Sequence, residues 1–249
     1  MKEDYFYDLF YKNNKDVNFY VNMAKKYGTK RILEVGSGTG RILLKIAQEG
    51  LLIDGLEPNL ERYEYCLKQI NFLESKIKNN VNIFNVFSSA YKTKEKYSLV
   101  ILPFRLLQEI TTIKEQEELL RQLKDLIEDG GFLIFDVLYP SPDLLYGFEN
   151  NKNIEIGKKH IKENNQNFYT SFVIEDIDTK NQIFRAKRIY ECNDEKVSYN
   201  WTSRYLMRYE IEYLLKYLNF KIVDVFGDFE MTPFDDAQNP NNMIFIVKK

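Results

Sequence analysis

The chain has 249 residues, 44% hydrophobic and 29% charged, which is enough apolar material for one globular core or a core carrying a sizeable insertion. Its 35 basic and 37 acidic residues leave a formal charge of −2, so no overall positive field draws in nucleic acid or an anionic membrane. Two cysteines, Cys66 and Cys192, are too few for a disulfide framework, no close Cys/His grouping suggests zinc, and no apolar run reaches the length of a signal region or membrane span. These exclusions lead to the expectation of a soluble, cytoplasmic protein. One oddity survives: 18 Tyr and 18 Phe stand beside a single Trp and a single His.

Strand-like and helix-like segments alternate through the first half. Residues 30–35 (KRILEV) predict a short buried strand and residues 36–40 a Gly-rich turn. Residues 41–49 (RILLKIAQE) predict a helix with Ile42, Ile46 and Ala47 on one face and Gly50 as its stop. Residues 51–57 (LLIDGLE) predict a second strand. Pro58 suits the first turn of a helix running to about residue 78, because a proline there loses no intrahelical bond. Residues 81–87, with Phe87 in the core, and 97–103 (YSLVILP) predict the third and fourth strands. Residues 113–128 predict an amphipathic helix stopped by Asp129-Gly130-Gly131, and residues 132–138 (FLIFDVL) a fifth strand. Strands separated by helical crossovers imply a parallel sheet covered on both faces. The right-handedness of such crossovers limits the topology to the doubly wound type.

The second half differs. Residues 140–207 read as long and mostly strand-like. Residues 168–177 and 182–191 alternate in polarity around Asp178-Thr179-Lys180-Asn181, a hairpin signature, and residues 197–204 predict a third antiparallel strand. A helix at 208–218 and strands at 221–225 and 243–248 then resume the α/β pattern. The expected organisation is a core over residues 1–139 with an N-terminal lid helix, an antiparallel insertion over 140–207, and a return to the core over 208–249. Insertions at the C-terminal ends of parallel strands are where such folds place ligands.

The sharpest motif is Glu34-Val35-Gly36-Ser37-Gly38-Thr39-Gly40, between the first strand and the first helix. Its glycines let the backbone turn tightly and approach a ligand, and the helix start offers unpaired N–H groups. Some twenty residues on, Glu57 ends the second strand, where a carboxylate accepts two hydrogen bonds from a ribose diol. Together these point to an adenosine-type cofactor. A dinucleotide fingerprint requires Gly-x-Gly-x-x-Gly, and Arg41 occupies its third glycine position.

The spacing Gly36-x-Gly38-x-Gly40 behind Glu34 resembles the first motif of class I S-adenosylmethionine-dependent methyltransferases. The resemblance extends to Leu56-Glu57-Pro58, Leu102-Pro103-Phe104 and residues 128–132 (EDGGF). It implies a Rossmann-like, doubly wound and mostly parallel seven-stranded sheet. It also implies that Glu34 and the turn (Gly36, Ser37, Gly38, Gly40) hold the methionine part of S-adenosylmethionine. Glu57 would take the ribose hydroxyls, Pro58 would pack on adenine, and Leu102 and Pro103 would line the methionyl side. The product is S-adenosylhomocysteine. Where family members often carry an acid for the adenine amino group, this chain has Ser88 and Ser89. Residues 5–11 (YFYDLFY) are similar to the N-terminal segment of small-molecule N-methyltransferases, including those acting on nucleotide-linked amino sugars. That makes Tyr7 a cofactor contact and Tyr11 an acceptor contact.

Methyl transfer from a sulfonium has a good leaving group, so positioning supplies much of the rate and no triad is required. Leu102-Pro103-Phe104-Arg105 departs from the [Asn/Asp]-Pro-Pro-[Tyr/Phe] signature of enzymes that methylate base amino groups, and no metal-ligating acid follows Pro103. No metal is therefore expected. Past the fourth strand, Phe104, Arg105 and Gln108 stand where the acceptor sits, with Arg105 able to pair with a carboxylate or phosphate, or with Glu109. Asp136 is an unusual acid within a buried strand, and Tyr139 follows it near the expected acceptor. His160 reads as solvated and Trp201 as packing of the inserted sheet. The function expected is transfer of a methyl group to a small molecule, an amine first. The alternatives are an RNA or protein acceptor, or cofactor binding without transfer. Nucleic acid and membrane partners are disfavoured, and an edge strand of the insertion offers a route to a homodimer.

Overall fold

A computed structural model of the chain describes residues 2–11, 15–193 and 195–249. Two helices, α1 (Lys2–Tyr11) and α2 (Lys15–Tyr27), precede a run of alternating elements. These are β1 (Ile32–Val35), α3 (Leu43–Gln48), β2 (Ile53–Leu56), α4 (Leu60–Asn71), α5 (Ser75–Lys78), β3 (Val81–Phe84), β4 (Tyr97–Leu102), α6 (Leu106–Glu109), α7 (Ile113–Leu126) and β5 (Ile127–Leu138). After an insertion come α9 (Arg208–Tyr217), β10 (Lys221–Phe226) and β11 (Asn242–Lys248). The sheet has seven strands in the order β10-β11-β5-β4-β1-β2-β3. β11 pairs antiparallel with both its neighbours, while β1 to β5 pair in parallel. This is the doubly wound α/β architecture expected, and the order reverses beside β1, at the end of the Gly-rich turn.

Both sheet faces are buried, which is why β1, β2 and β4 are buried at every position rather than at alternate ones. On one face, Leu119, Leu120 and Leu123 of α7 and Ile211 and Leu215 of α9 close over Val100, Leu133 and Phe245. On the other, Phe19 and Tyr20 of α2, Ile46 of α3 and Ile70 of α4 pack on Ile32, Ile53 and Ile101.

Several boundaries differ from the expectation. The long helix after the second strand begins beyond Pro58, because the Asn59 side chain accepts the Arg62 N–H and caps α4. It ends at Asn71, and α5 forms separately. β3 stops at Phe84, so Phe87 is 67% exposed rather than in the core.

The insertion is a four-stranded antiparallel sheet of β6 (Glu155–Glu163), β7 (Gln166–Asp178), β8 (Ile183–Cys192) and β9 (Glu195–Arg204), preceded by α8 (Pro142–Asn150). α8 and β6 lie where the sequence reading placed no defined element. The start of α8 was nonetheless written locally: Ser141 accepts the Leu144 N–H, and Pro142 occupies the first turn.

The inserted sheet is bound to the core at both ends. At one end, Phe6 and Phe10 of α1 stack on Tyr190, at ring-centroid distances of 5.6 and 6.0 Å. At the other, buried Arg204 donates to Gln116 of α7 at 3.1 Å, to Gln182 at 2.6 Å and to Glu210 of α9. The sheet and α1 therefore roof the C-terminal ends of β1, β2 and β4.

Candidate functional site

The Gly-rich turn requires glycine at two positions for different reasons. Gly36 has φ +75°, and a Cβ there would meet Leu106 at 2.9 Å. Gly40 has φ +89°, and a Cβ there would press on Cys66 Sγ at 2.6 Å. The turn is held from outside by α1 and α2. Thr39 Oγ1 donates to Asp8 at 2.6 Å. The Arg41 guanidinium grips Asp16 with two bonds of 2.9 and 2.7 Å, both side chains being almost fully buried. Arg41, the residue that breaks the dinucleotide fingerprint, is thus the clamp between the turn and the N-terminal helices.

The turn opens onto a cavity of about 480 Å³ lined by Tyr7, Glu34, Gly36, Ser37, Gly38, Glu57, Pro58 and Pro103 among others. Glu34 is 2% exposed and its Oε2 has no hydrogen-bond partner. Burial, reinforced by the charge of Glu57 and opposed by Arg41, lifts its pKa to about 8. Glu57 accepts the N–H of Gly38 at 2.7 Å and of Asn59 at 2.8 Å, so one carboxylate bridges the turn and the α4 cap. Behind it, Asn85 donates to the Glu57 and Pro58 carbonyls at 2.9 and 3.0 Å.

A second cavity of about 460 Å³ lies on the other side of Phe104, lined by Tyr11, Arg105, Asp136, Lys159, Phe172, Arg188 and Asn242 among others. The two cavities share Phe104, Glu109, Tyr199 and Trp201. Phe104 is the partition: Tyr7 and Tyr11 meet its ring edge-on at 5.4 and 5.3 Å, and Arg41 lies 5.3 Å from its centroid. Phe104 and Arg105 both adopt positive φ, 60° and 64°, a conformation costly for non-glycine residues. Asp136 holds it, since its Oδ1 accepts the Phe104 N–H at 2.8 Å and the Tyr20 hydroxyl at 2.6 Å. The unusual acid in β5 therefore bonds locally and sets the partition.

The remaining sequence candidates divide. Arg105 lines the second cavity and donates to Asn242 at 3.1 Å rather than to Glu109. Gln108 lines neither cavity. It is 1% exposed, and its Oε1 accepts the Leu138 N–H at 2.7 Å, which makes it a strut between α6 and β5. Gly40 and Leu102 lie beneath the cofactor-side cavity rather than on its wall, and Ser88 sits in a short 3-10 turn away from it. Tyr139 packs on Phe234 at 5.2 Å and joins the core, not the acceptor side. His160 bonds to Asn167 and stacks on Tyr169, away from both cavities. Trp201 does more than pack the inserted sheet, since it lines both cavities. Glu109, which the sequence suggested only as an ion-pair partner for Arg105, and Arg188, which it suggested only as part of a local basic cluster at residues 185–188, also stand on these walls. Arg188 had a local signal: β8 turns Phe184, Ala186, Tyr190 and Cys192 inward, and Arg188 falls in the same period.

Among the described residues, no group of three or more His, Cys, Asp or Glu side chains is placed to hold a metal ion, and no helix is long and apolar enough to cross a membrane.

No curated protein sequence matches the chain. Solved structures do resemble its fold. The CcbJ methyltransferase from Streptomyces caelestis superposes with a TM-score of 0.76 at 18% identity, covering 94% of each chain. The sugar N-methyltransferase KedS8 from Streptoalloteichus sp. ATCC 53650 gives 0.71 at 14% identity, over 98% of this chain and 92% of that one. CalS10, an amino pentose methyltransferase from Micromonospora echinaspora solved with S-adenosylmethionine bound, gives 0.69 at 14% identity, over 94% and 88%. The family model described as a methyltransferase domain matches residues 5–195, and with the Gly-rich turn and its two strand-end acids in place the chain belongs to that family.

Proposed function

We propose that the protein is an S-adenosylmethionine-dependent methyltransferase acting on a small-molecule amine. The observation that carries the cofactor is the buried, unpartnered Oε2 of Glu34 on the wall of the first cavity. A buried carboxylate oxygen without a donor is costly, and an ammonium group supplies both the donor and the countercharge. Glu57, ending the neighbouring strand, retains acceptor capacity for a ribose diol beside its two backbone bonds. Pro58 and Ile42 offer apolar surface in the same cavity for a flat ring. When bound, the cofactor supplies a methyl group on a sulfonium, whose departure needs no acid.

The chain's own residues have three tasks. Tyr7, Tyr11 and Phe104 shape the passage between the cavities and orient what passes through it. The roof of α1 and the inserted sheet excludes water. An ammonium acceptor must lose its proton before its lone pair is free, and Glu109 stands on the wall common to both cavities to receive it on a carboxylate oxygen. Burial first, and then the charge of Glu57, raise the Glu109 pKa against the opposing effect of Arg62, which favours that role. Gln108 acts through position, holding α6 on β5 beneath Glu109.

An amine acceptor is supported by the carboxylate at the junction, and a small one by the enclosing roof. Residues 185–188 (RAKR) are a basic cluster that would suit an RNA acceptor if all its charges shared one face, and they do not. Alternation along β8 sends Arg185 outward to Asp176 at 2.8 Å and Arg188 inward to the second cavity. Calorimetric titration with S-adenosylhomocysteine tests the cofactor reading, and absence of binding sinks it. Transfer of labelled methyl to an amine pool tests the reaction, and labelling of RNA or protein alone redirects it.

A further inference from the structure

The second cavity combines aromatic walls with positive charge that the carboxylates among the described residues offset only in part. The antiparallel register places Phe172 opposite Arg188, and Arg188 opposite Tyr199, so these three side chains form one row across the inward face of the inserted sheet. The next row contains Ala186 and Trp201, and the row before it contains Tyr190 beneath α1. A guanidinium thus stands in an otherwise apolar stripe. It lies 5.4 Å from the Phe172 ring and 6.0 Å from those of Tyr11 and Trp201, but its buried Nε has no hydrogen-bond acceptor and no carboxylate bridges it.

Arg105 approaches the same space from the core side, hydrogen-bonded to the neutral amide of Asn242 and near enough to Asp136 for that carboxylate to favour its charge. The two guanidiniums are close enough for Arg188 to disfavour the charge on Arg105, which burial already disfavours. Lys159, across the pocket near Tyr11, adds a third cation. The acids facing this space are engaged elsewhere or stand at its margin. Asp16 is paired with Arg41, Asp136 is held by Tyr20 and the Phe104 N–H and offsets part of the Arg105 charge without bridging it, and Glu109 stands on the wall shared with the first cavity. Lys15, at the rim, is paired with Glu230. Rings alone satisfy a guanidinium's faces and leave its in-plane N–H donors free. Two such forks converging with no carboxylate bridging them among the described residues leave donors for an oxyanion.

We propose that the acceptor carries an anionic group, a carboxylate or a phosphate, held between Arg105 and Arg188 with Lys159 beside it, while its reactive end points past Phe104. The anion would neutralise the convergent charge and fill the unused Nε donor, and the rings of Phe172 and Trp201 would bracket the body of the molecule. As an account of the acceptor, this rests on the methyltransferase reading above. The anion site itself does not.

The test uses the whole protein saturated with S-adenosylhomocysteine, with inorganic phosphate and malonate titrated separately by calorimetry at constant ionic strength. At least one of them should bind saturably and one-to-one, and which one binds tells phosphate from carboxylate. Arg188→Gln should weaken that binding about tenfold or more, the size expected for a charge-assisted hydrogen bond, and Arg105→Gln should do the same. Arg188→Lys should lose less, since it keeps the charge but not the fork. S-adenosylhomocysteine affinity serves as the folding control. If Arg188→Gln fails that control, Arg188→Lys and Arg105→Gln decide. No saturable anion binding, or binding indifferent to these substitutions, overturns the proposal. Anion binding by a protein that does not bind S-adenosylhomocysteine upholds the site and refutes the methyltransferase reading.

Discussion

The parallel core and the roof over it are held together by different side chains. In the core, mostly Leu, Ile and Val from α3, α7 and α9 interlock with β1, β2, β4 and β5, and rings such as Phe19 with Tyr20 of α2 and Phe135 on Phe245 are a minority of the buried side chains. In the roof, Phe6, Phe10, Tyr11, Phe168 and Tyr190 cluster under α1, and Phe148, Phe172, Phe184 and Trp201 cluster under α8. Aliphatic packing on a parallel sheet leaves one solution, so Glu34 and Glu57 arrive at adjacent strand ends with little freedom. Ring contacts are broad and tolerate tilt. They suit a layer joined to the core by a few polar ties, chiefly Asp8 to Thr39, the Tyr11 carbonyl to Arg41, which Asp16 holds in place, and Arg204 to Glu210. The first cavity, proposed for the cofactor, thus belongs to the rigid layer, and the second, proposed for the acceptor, to the adaptable one. Fewer than half of the tyrosines and phenylalanines that stand out in the composition lie in the roof, but there they supply most of the packing.

Equal cuts in the two layers test this difference most severely. Phe135→Ala in the core should lower global stability by about 3–5 kcal/mol in urea denaturation, and Phe6→Ala in the roof should lower it much less. Phe6→Ala should instead speed amide exchange in β7 and β8. Equal losses in one shared transition would erase the distinction between the layers.

The tie between the layers comes next. Arg41→Ala leaves Asp16 buried without its partner and should cost about 3–5 kcal/mol by the same measurement. The double replacement Arg41→Met with Asp16→Leu should recover much of that loss. No recovery would mean that the pair does more than hold the helices.

Glu57→Ala should weaken S-adenosylhomocysteine binding about 100-fold, since two charge-assisted bonds go and the Gly38 and Asn59 N–H groups lose their acceptor. A change of a few-fold would refute its ribose role.

The smallest effect is a proton. Glu34 has a pKa of about 8 in the free protein, so at pH 7 it is mostly protonated, and a cofactor ammonium needs it ionised. Binding at pH 7 should release close to one proton, and affinity should rise roughly tenfold per pH unit up to pH 8. Calorimetry in buffers of different ionisation enthalpy measures this, and Glu34→Gln should abolish it. For folding, the Glu34 pKa lies above its ordinary value of 4.5. Its contribution to stability is therefore full below that value and is lost as pH rises through about 8.

What the chain declares on its own is local. Glu34, the Gly-rich turn and Glu57 fall within one strand–helix–strand unit, where periodicity and glycine spacing carry the geometry, and the seven-stranded sheet follows from repeating that unit. The hairpin of β7 and β8 was legible for the same reason, because its alternation and turn are contiguous. Only the folded chain decided which side chains meet across it. Asp16 meets Arg41, Asp136 meets Phe104 and Tyr20, and Arg105 faces Arg188 from another layer. No period or motif encodes those approaches, since each depends on where the whole inserted sheet comes to rest. The same cause moved Gln108 and Tyr139 from expected acceptor contacts to structural roles, and brought Trp201 and Glu109 to the walls. Sequence thus determined the cofactor half of the site, which is built by neighbours in the chain. The acceptor half is built by neighbours in space, and burial, charge and register decided it.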